Sequence, residues 1–206
     1  VFQITGIDGQ RAAIFVADVS GHGVRAALVT SIVRTVVDYI DMTDKAPGQV
    51  LEDFNSRFRS VLGPLTPQMY ATAVVMFVDG ENRTVQVANA GHPRPLLVSK
   101  ASGSATPMMD PDETGIAIGF INNPHYETRE CKLQPGDIVL SFTDGAYEVR
   151  NEKGEMFGLR RLQELVDGNV HLIPRDLIQK IITETDEFMA SARRPDDLCM
   201  VSAEIE

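Results

Sequence analysis

Three acidic positions of the chain each lie where an apolar, strand-like segment meets a turn. Asp18 ends one such segment, Asp144 ends another, and the pair Asp196-Asp197 precedes a third. Carboxylates in such places can converge at one edge of a sheet. Because no His or Cys cluster accompanies them, their oxygen atoms suit Mg²⁺ or Mn²⁺ better than zinc or copper. Two such ions lower the pKa of water and screen phosphate charge, so the chemistry indicated is hydrolysis of a phosphoester.

Taken singly, each aspartate also has a simpler interpretation. Strand-end Asp side chains commonly close turns by accepting hydrogen bonds from nearby backbone N–H groups. Spacing alone leaves both interpretations open. Ser20 and His22 could form a nucleophile and base, but the sequence lacks a nucleophile elbow and a clear orienting acid. His22 could instead donate a proton to a leaving seryl oxygen, although we favour a hydrogen bond to backbone at a helix start.

Hydrophobic periodicity predicts the helices that lie between these acidic positions. Apolar residues recur every four positions from Val24 to Ile40, and a second amphipathic pattern begins at Pro47 and ends before Gly63. The first pattern consists of residues four apart with further apolar residues beside them: Val24, Leu28, Ile32, Val36 and Ile40, with Val29, Val33 and Val37. Two further helices are predicted over residues 159–166 and 174–189.

Strands are predicted from short β-rich runs bounded by turn residues. Residues 100–113 are rich in Ser, Pro, Met and Asp without periodicity, which predicts an exposed loop. The order of strands and helices does not alternate as in a parallel doubly wound fold, so antiparallel sheets with helices layered outside fit better. The predicted strands cover residues 11–18, 70–78, 84–89, 95–99, 126–133, 138–143 and 198–205.

Length, charge and cysteine usage exclude several classes of function. The 206 residues, 43% of them hydrophobic, are compatible with one folded domain. A formal net charge of -10 disfavours nucleic acid and anionic membrane surfaces as partners. The longest apolar runs, 12–17 and 73–78, are far shorter than a membrane span, and no signal-peptide pattern opens the chain. Cys131 and Cys199 are isolated, which indicates reduced thiols in a cytoplasmic protein.

Five short words of sequence occur in one order and carry a family resemblance. They are ADVSGHGV at 17–24, NAGHPRPLL at 89–97, PGD at 135–137, TDG at 143–145 with a following Glu, Arg, Asn and Phe-Gly, and the aspartate pair at 196–197. In this order they resemble the SpoIIE-like branch of the metal-dependent (PPM, type 2C) serine/threonine protein phosphatases. The resemblance spans Ala17 to Val201, nearly the whole chain.

The resemblance implies a fold, a metal site and an activity. The fold would be α+β, a four-layer αββα sandwich of two antiparallel β-sheets flanked by pairs of antiparallel helices. Asp18 would bridge two ions, Mn²⁺ or Mg²⁺, the Val19 carbonyl would bind one of them, and Asp144 and Asp196 would complete the catalytic site. Asp197 would orient Asp196, although the adjacent pair leaves that choice open.

The chain departs from the family pattern at four places. A further Asp, common in a Gly-Gly-Asp-type word before the first strand pair, is not in the printed sequence. We therefore expect residues 1–206 to be a single phosphatase domain from a longer chain with an N-terminal regulatory domain. Arg25 and Ala117 stand where Pro is common, and Cys199 stands where Thr is common. None of these three removes a ligand.

Two functions from different classes follow. The first is a phosphatase that removes phosphate from Ser or Thr of a regulatory protein, such as an anti-sigma-factor antagonist. The alternative is a phosphatase-like module that binds a regulatory partner without turnover. The presence of Asp18, Asp144 and Asp196 favours the enzyme, whereas the absent upstream Asp favours the module. The sequence does not determine the substrate or the oligomeric state, and a homodimer is one of the states left open.

Overall fold

Buried apolar runs of the sequence form the strands that carry the candidate site residues. The computed structural model describes residues 1–21, 23–62, 69–192, 194 and 196–206. These residues divide into two units, each with its own sheet, helix pair and core. Unit 1 comprises Val1–Arg94 and Met109–Lys132, and unit 2 comprises Pro95–Met108 and Leu133–Glu206.

The sheet of unit 1 has five antiparallel strands in the order β1-β2-β3-β4-β7. Valine, isoleucine and phenylalanine dominate β2 and β3, as expected for strands that pack on a core. The register of these two strands places Asp18 opposite Thr72. The strand bounds are β1 Phe2–Gly6, β2 Arg11–Val19, β3 Ala71–Asp79, β4 Thr84–Ala90 and β7 Arg129–Lys132.

Helices α1 (Val24–Asp38) and α2 (Pro47–Leu62) pack on this sheet, and both were predicted. The predicted apolar pattern of α1 is confirmed only in part, because Val24 and Leu28 are 78% and 62% exposed. Four residues advance an α-helix about 40° past a full turn, so a strict four-residue series leaves the buried face. The buried face is formed by Val29, Val33, Val36 and Val37, spaced near 3.6 residues per turn.

The start and end of α2 follow from local sequence. Pro47 lies in its first turn, where a missing N–H costs nothing. Phe54 then packs edge-on against Phe15 of β2, with ring centroids 5.2 Å apart. The helix ends at Leu62, before Gly63 as predicted, and Gly63 itself lies outside the described residues.

The sheet of unit 2 has four antiparallel strands in the order β6-β5-β8-β9. Helices α3 (Gly158–Asp167) and α4 (Pro174–Met189) pack on it through a core that includes Leu162 and Ile181. The strand bounds are β5 Leu96–Ser99, β6 Ser104–Pro107, β8 Ile138–Phe142 and β9 Met200–Glu204.

The predicted exposed loop over residues 100–113 is wrong. Residues Ser104–Pro107 form β6, which makes a hairpin with β5. Gly103, at φ +67, donates its N–H to the Ser99 carbonyl and so closes the turn. Beyond the hairpin, Met108 and Met109 are buried, and residues 111–113 form a 3₁₀ turn.

Strand β6 has no clear strand signal in its own sequence, and it makes tertiary contacts with α3. Its four residues, Ser-Ala-Thr-Pro, are small or polar and show no strong β pattern. The Ala105 N–H donates to Asp167 Oδ1 at the end of α3, and Gln163 Nε2 donates to the Ala105 carbonyl.

The strand over residues 126–133 is also shorter than predicted, since β7 begins at Arg129.

Helix length bears on the question of membrane insertion. Within the described ranges, none of the helices combines the length and apolarity that a bilayer crossing requires.

Candidate metal centre

Asp18 lies near the end of β2, in unit 1. Its backbone position is set by pairing with β3, which continues to Val19, the final strand residue. Beyond the strand, the Ser20 N–H donates to the Tyr70 carbonyl at 2.9 Å, and the Tyr70 N–H donates to Ser20 Oγ at 3.1 Å. Asp18 is partly buried and therefore keeps access to solvent. The sheet itself thus fixes this aspartate.

The glycines after Asp18 turn the chain from β2 into α1. Gly21 and Gly23 have φ values of +89 and +84, a left-handed region that residues with a Cβ rarely adopt. The predicted tight strand-to-helix turn is confirmed at these two positions. His22 lies outside the described residues, so both interpretations of this histidine remain predictions.

Asp144 follows β8 in unit 2, separated from the strand by Thr143. It begins a 3₁₀ turn over Asp144–Ala146, and its carbonyl accepts N–H groups from Tyr147 and Glu148 at 2.9 and 2.8 Å. β8 pairs with β5 on one side and with β9 on the other. Asp144 is partly buried and follows an interior strand, as the sequence predicts.

Asp196 lies in the irregular segment before β9 and is exposed. One of its carboxylate oxygens and one of Asp144 lie within 4.8 Å of each other. The Asp197 N–H donates to Asp196 Oδ1 at 2.8 Å, which is a contact expected of a neighbour that orients Asp196. Unit 2 therefore brings two of the predicted acidic residues together.

A threonine not identified from the sequence links the two acidic segments of unit 2. Thr143, which is buried, donates its hydroxyl to the Asp197 carbonyl and accepts the Cys199 N–H, both at 3.0 Å. Its own N–H donates to the Cys199 carbonyl at 2.9 Å. A hydroxyl before an aspartate is visible in sequence, but its partners more than fifty residues away are not.

Gly145 lies against the backbone of Asp197. In the structure, a Cβ at this position would lie 2.4 Å from the carbonyl oxygen of Asp197. The glycine therefore permits the close approach of the two segments that carry Asp144 and Asp196.

The donor set of unit 2 fits a hard divalent cation. Two like charges within 4.8 Å of each other repel by at least about 0.9 kcal/mol in water and at least about 3.5 kcal/mol at an effective dielectric constant near 20. A cation between the oxygens would reverse this repulsion, and oxygen donors match Mg²⁺ and Mn²⁺.

Tyr147, close to Asp144, has a pKa above its ordinary value. Burial, followed by the charges of Glu148 and Asp144, raises the pKa of the Tyr147 phenol to about 12. The phenol therefore remains neutral and protonated at physiological pH, and it adds no further negative charge beside Asp144.

In two other motifs of the resemblance, the side chains of Asn89 and Asp137 form hydrogen bonds to backbone groups. The side-chain oxygen of Asn89 accepts the His92 N–H and its amide donates to the His92 carbonyl, while Thr72 Oγ1 contacts His92 Nδ1 at 2.9 Å. Asp137 accepts the Gln134 N–H and so closes the turn before β8. These contacts give His92 a structural role.

Asn151 and Glu155 form a turn before α3, as predicted for this stretch. Asn151 Oδ1 accepts the N–H groups of Lys153 and Glu155, and its amide donates to Glu155 Oε2. The Asn151 N–H also donates to the Glu155 carbonyl. The turn leads into the first residues of α3 at Gly158.

Comparison with known proteins gives a family and a fold. The family model described as Stage II sporulation protein E (SpoIIE) matches residues 8–206. The chain is 26% identical over 174 residues to "Phosphoserine phosphatase RsbU" of Bacillus subtilis strain 168, covering 84% of this chain and 50% of RsbU. It therefore spans about half the length of that relative.

Solved structures support the same fold. The SiaA-PP2C domain of Pseudomonas aeruginosa is similar with a TM-score of 0.85 and 22% identity, over 100% of this chain and 80% of that one. RsbX, solved in complex with magnesium, is similar with a TM-score of 0.68 and 16% identity, over 100% of this chain and 86% of RsbX. These likenesses confirm the predicted fold class, an α+β sandwich with antiparallel sheets and helix pairs.

Proposed function

Since the chain belongs to the SpoIIE-like branch of the metal-dependent (PPM, type 2C) protein phosphatases, we propose that it hydrolyses phosphoserine or phosphothreonine on a regulatory protein. The observation that carries this proposal is the close pair of carboxylates from Asp144 and Asp196. The similarity to a relative named a phosphoserine phosphatase supports the substrate group.

In this proposal Asp18, the Val19 carbonyl, Asp144 and Asp196 hold two divalent ions, Mn²⁺ or Mg²⁺. Such ions supply a hydroxide nucleophile at neutral pH and neutralise the charge of a phosphoryl group. The magnesium complex of RsbX supports an ion of this class. The residues of this chain would contribute the oxygen donors to such ions.

The substrate we propose is a phosphorylated protein, specifically an anti-sigma-factor antagonist. The acidic surface expected from a net charge of -10 does not favour nucleic acid. The family resemblance supports a small phosphorylated regulatory protein as the substrate.

The test is phosphate release by the intact protein from a phosphoseryl protein and from an aryl phosphate, with Mn²⁺ or Mg²⁺ supplied. We expect turnover that chelator abolishes and added ion restores. Full turnover in excess chelator would refute the metal mechanism. Tight binding of the phosphoprotein without phosphate release would support the alternative, a binding module.

A further inference from the structure

Arg194 lies in the irregular segment that carries Asp196 and contacts the turn that carries Asp144. Residues 190–199 contain no helix or strand among those described, so regular hydrogen bonding does not fix this segment. Despite this, the Arg194 side chain is only 17% exposed. Its burial indicates that the guanidinium is held by specific contacts.

Those contacts join three parts of unit 2. Arg194 Nη1 donates to the Gly145 carbonyl at 2.5 Å, one residue after Asp144. Nη2 donates to Thr185 Oγ1 at 3.0 Å and to Asp186 Oδ1 at 2.8 Å, both near the end of α4. The guanidinium therefore links the segment of Asp196, the turn of Asp144 and a helix of the core.

The partners on α4 provide a fixed anchor. Thr185 is fully buried, and its hydroxyl also donates to the Ile181 carbonyl one turn earlier. Asp186, by contrast, has a side chain that is 57% exposed, so its ion pair with Arg194 is screened by solvent. The fork geometry of a guanidinium can satisfy several acceptors at once, which a lysine ammonium at the end of a flexible chain cannot do in the same plane.

We propose that Arg194 is a positioning residue that holds the Asp144 turn and the Asp196 segment in one geometry for divalent-ion binding. The effect of Arg194 on catalysis rests on the proposed function, whereas its effect on ion binding is tested separately. Pre-organised ligands bind ions more tightly because less ordering remains to be done on binding. Loss of partners that orient metal ligands typically costs about 10- to 100-fold in affinity.

The charge of Arg194 gives the opposite expectation, which makes the experiment decisive. A cation near a divalent-ion site repels the ion, so removal of its charge alone would strengthen ion binding. Positioning predicts that removal weakens binding. The sign of the change in Mn²⁺ affinity therefore separates the two roles.

The experiment measures Mn²⁺ binding to the intact protein by titration calorimetry, with thermal unfolding recorded without ion. We expect Arg194→Ala to weaken binding by about 10-fold or more. Arg194→Lys, which keeps the charge without the planar fork, should also bind Mn²⁺ more weakly than wild type. Asp186→Ala, which removes only the exposed acceptor, should change affinity less than either. Arg175→Ala, on the exposed first turn of α4, is the matched control for loss of one positive charge.

Several results would overturn the proposal. These are wild-type or tighter Mn²⁺ binding by Arg194→Ala, an equal loss in Arg175→Ala, or no Mn²⁺ binding by the wild type. Should Arg194→Ala fail to fold, wild-type affinity in Arg194→Lys would overturn it as well. If wild type binds Mn²⁺ but releases no phosphate, the proposed function fails while the role of Arg194 is still decided by the affinities.

Discussion

In unit 1 the aspartate that we propose as a metal ligand lies on a strand, whereas in unit 2 Asp144 begins a 3₁₀ turn and Asp196 lies in irregular backbone. The register of β2 with β3 fixes Asp18 through main-chain hydrogen bonds. The segments of Asp144 and Asp196 are also joined by side-chain hydrogen bonds from Thr143 and Arg194. The comparison indicates that unit 1 positions its ligand by sheet pairing and unit 2 by a small polar network. Mutations outside the ligands should therefore affect the two units unequally.

The largest effect is expected from the ligands themselves, where the two units should behave alike. Asp18→Asn and Asp144→Asn should each lower phosphate release by more than the roughly 100-fold upper figure for loss of an outer partner, because each removes a charge that attracts the ions. The measurement is initial rate with saturating Mn²⁺. Asp44→Asn in unit 1 and Asp176→Asn in unit 2 are exposed controls that should retain turnover. Near wild-type rates in Asp18→Asn or Asp144→Asn would show that the residue is no ligand.

The next prediction compares two threonines beside the acidic residues. Thr143→Val removes a buried hydroxyl that serves both the Asp197 carbonyl and the Cys199 N–H, which should cost about 1–3 kcal/mol of unfolding free energy. It should also lower turnover. Thr72→Val, opposite Asp18, loses the contact with His92 and should cost about 1 kcal/mol with turnover largely kept. Urea unfolding and rate measurements check both. Equal losses of turnover would contradict the contrast between the units.

Two glycines test the same contrast through the backbone. Gly145→Ala would place a Cβ 2.4 Å from the Asp197 carbonyl, and relief of this clash should cost about 1–3 kcal/mol and weaken Mn²⁺ binding. Gly21→Ala meets open space but must keep φ near +89, for which about 1–2 kcal/mol is expected. Chemical unfolding of both variants gives the costs. A Gly145→Ala protein as stable as wild type would show that the two segments can move apart freely.

The smallest effect is expected in the core of unit 1, away from the acidic residues. The Tyr126 hydroxyl is buried and has no hydrogen-bond partner among the residues that the structure describes. Burial, with a contribution from Glu52, raises the pKa of this phenol, so it stays protonated. Tyr126→Phe removes an unsatisfied polar group and should change stability by less than about 1 kcal/mol, in the stabilising direction. Thermal unfolding decides this, and a marked loss of stability would reveal a partner for the hydroxyl.

Sequence predicted the long elements well because their signals are local. The bounds of α2 and α4 follow from Pro47 and Pro174 at their starts and from apolar spacing along one face. The start of α1 follows from Gly21 and Gly23. β6 was missed because its own residues have a weak β pattern, whereas its pairing with β5 and its contacts with Asp167 and Gln163 are tertiary.

The candidate site shows the same division. Asp18, Asp144 and Asp196 could be identified from strand ends and from the family resemblance. Thr143 and Arg194 could not, because their importance lies in which distant carbonyl or N–H they reach. Gly145 could be singled out within its motif. The reason that a glycine is needed there is the nearby Asp197 carbonyl, which no local pattern reveals.

Residues Pro95–Met108 belong to unit 2 although they lie between the two stretches of unit 1, and this limits how the chain can be divided. Unit 1 and unit 2 are each assembled from two stretches of sequence, which interleave along the polypeptide. A fragment that begins at Leu133 would lack β5 and β6 and would leave one edge of β8 without its partner strand. A cut after Lys132 would keep all of unit 1 with β5 and β6 still attached, whereas no single cut releases unit 2 whole.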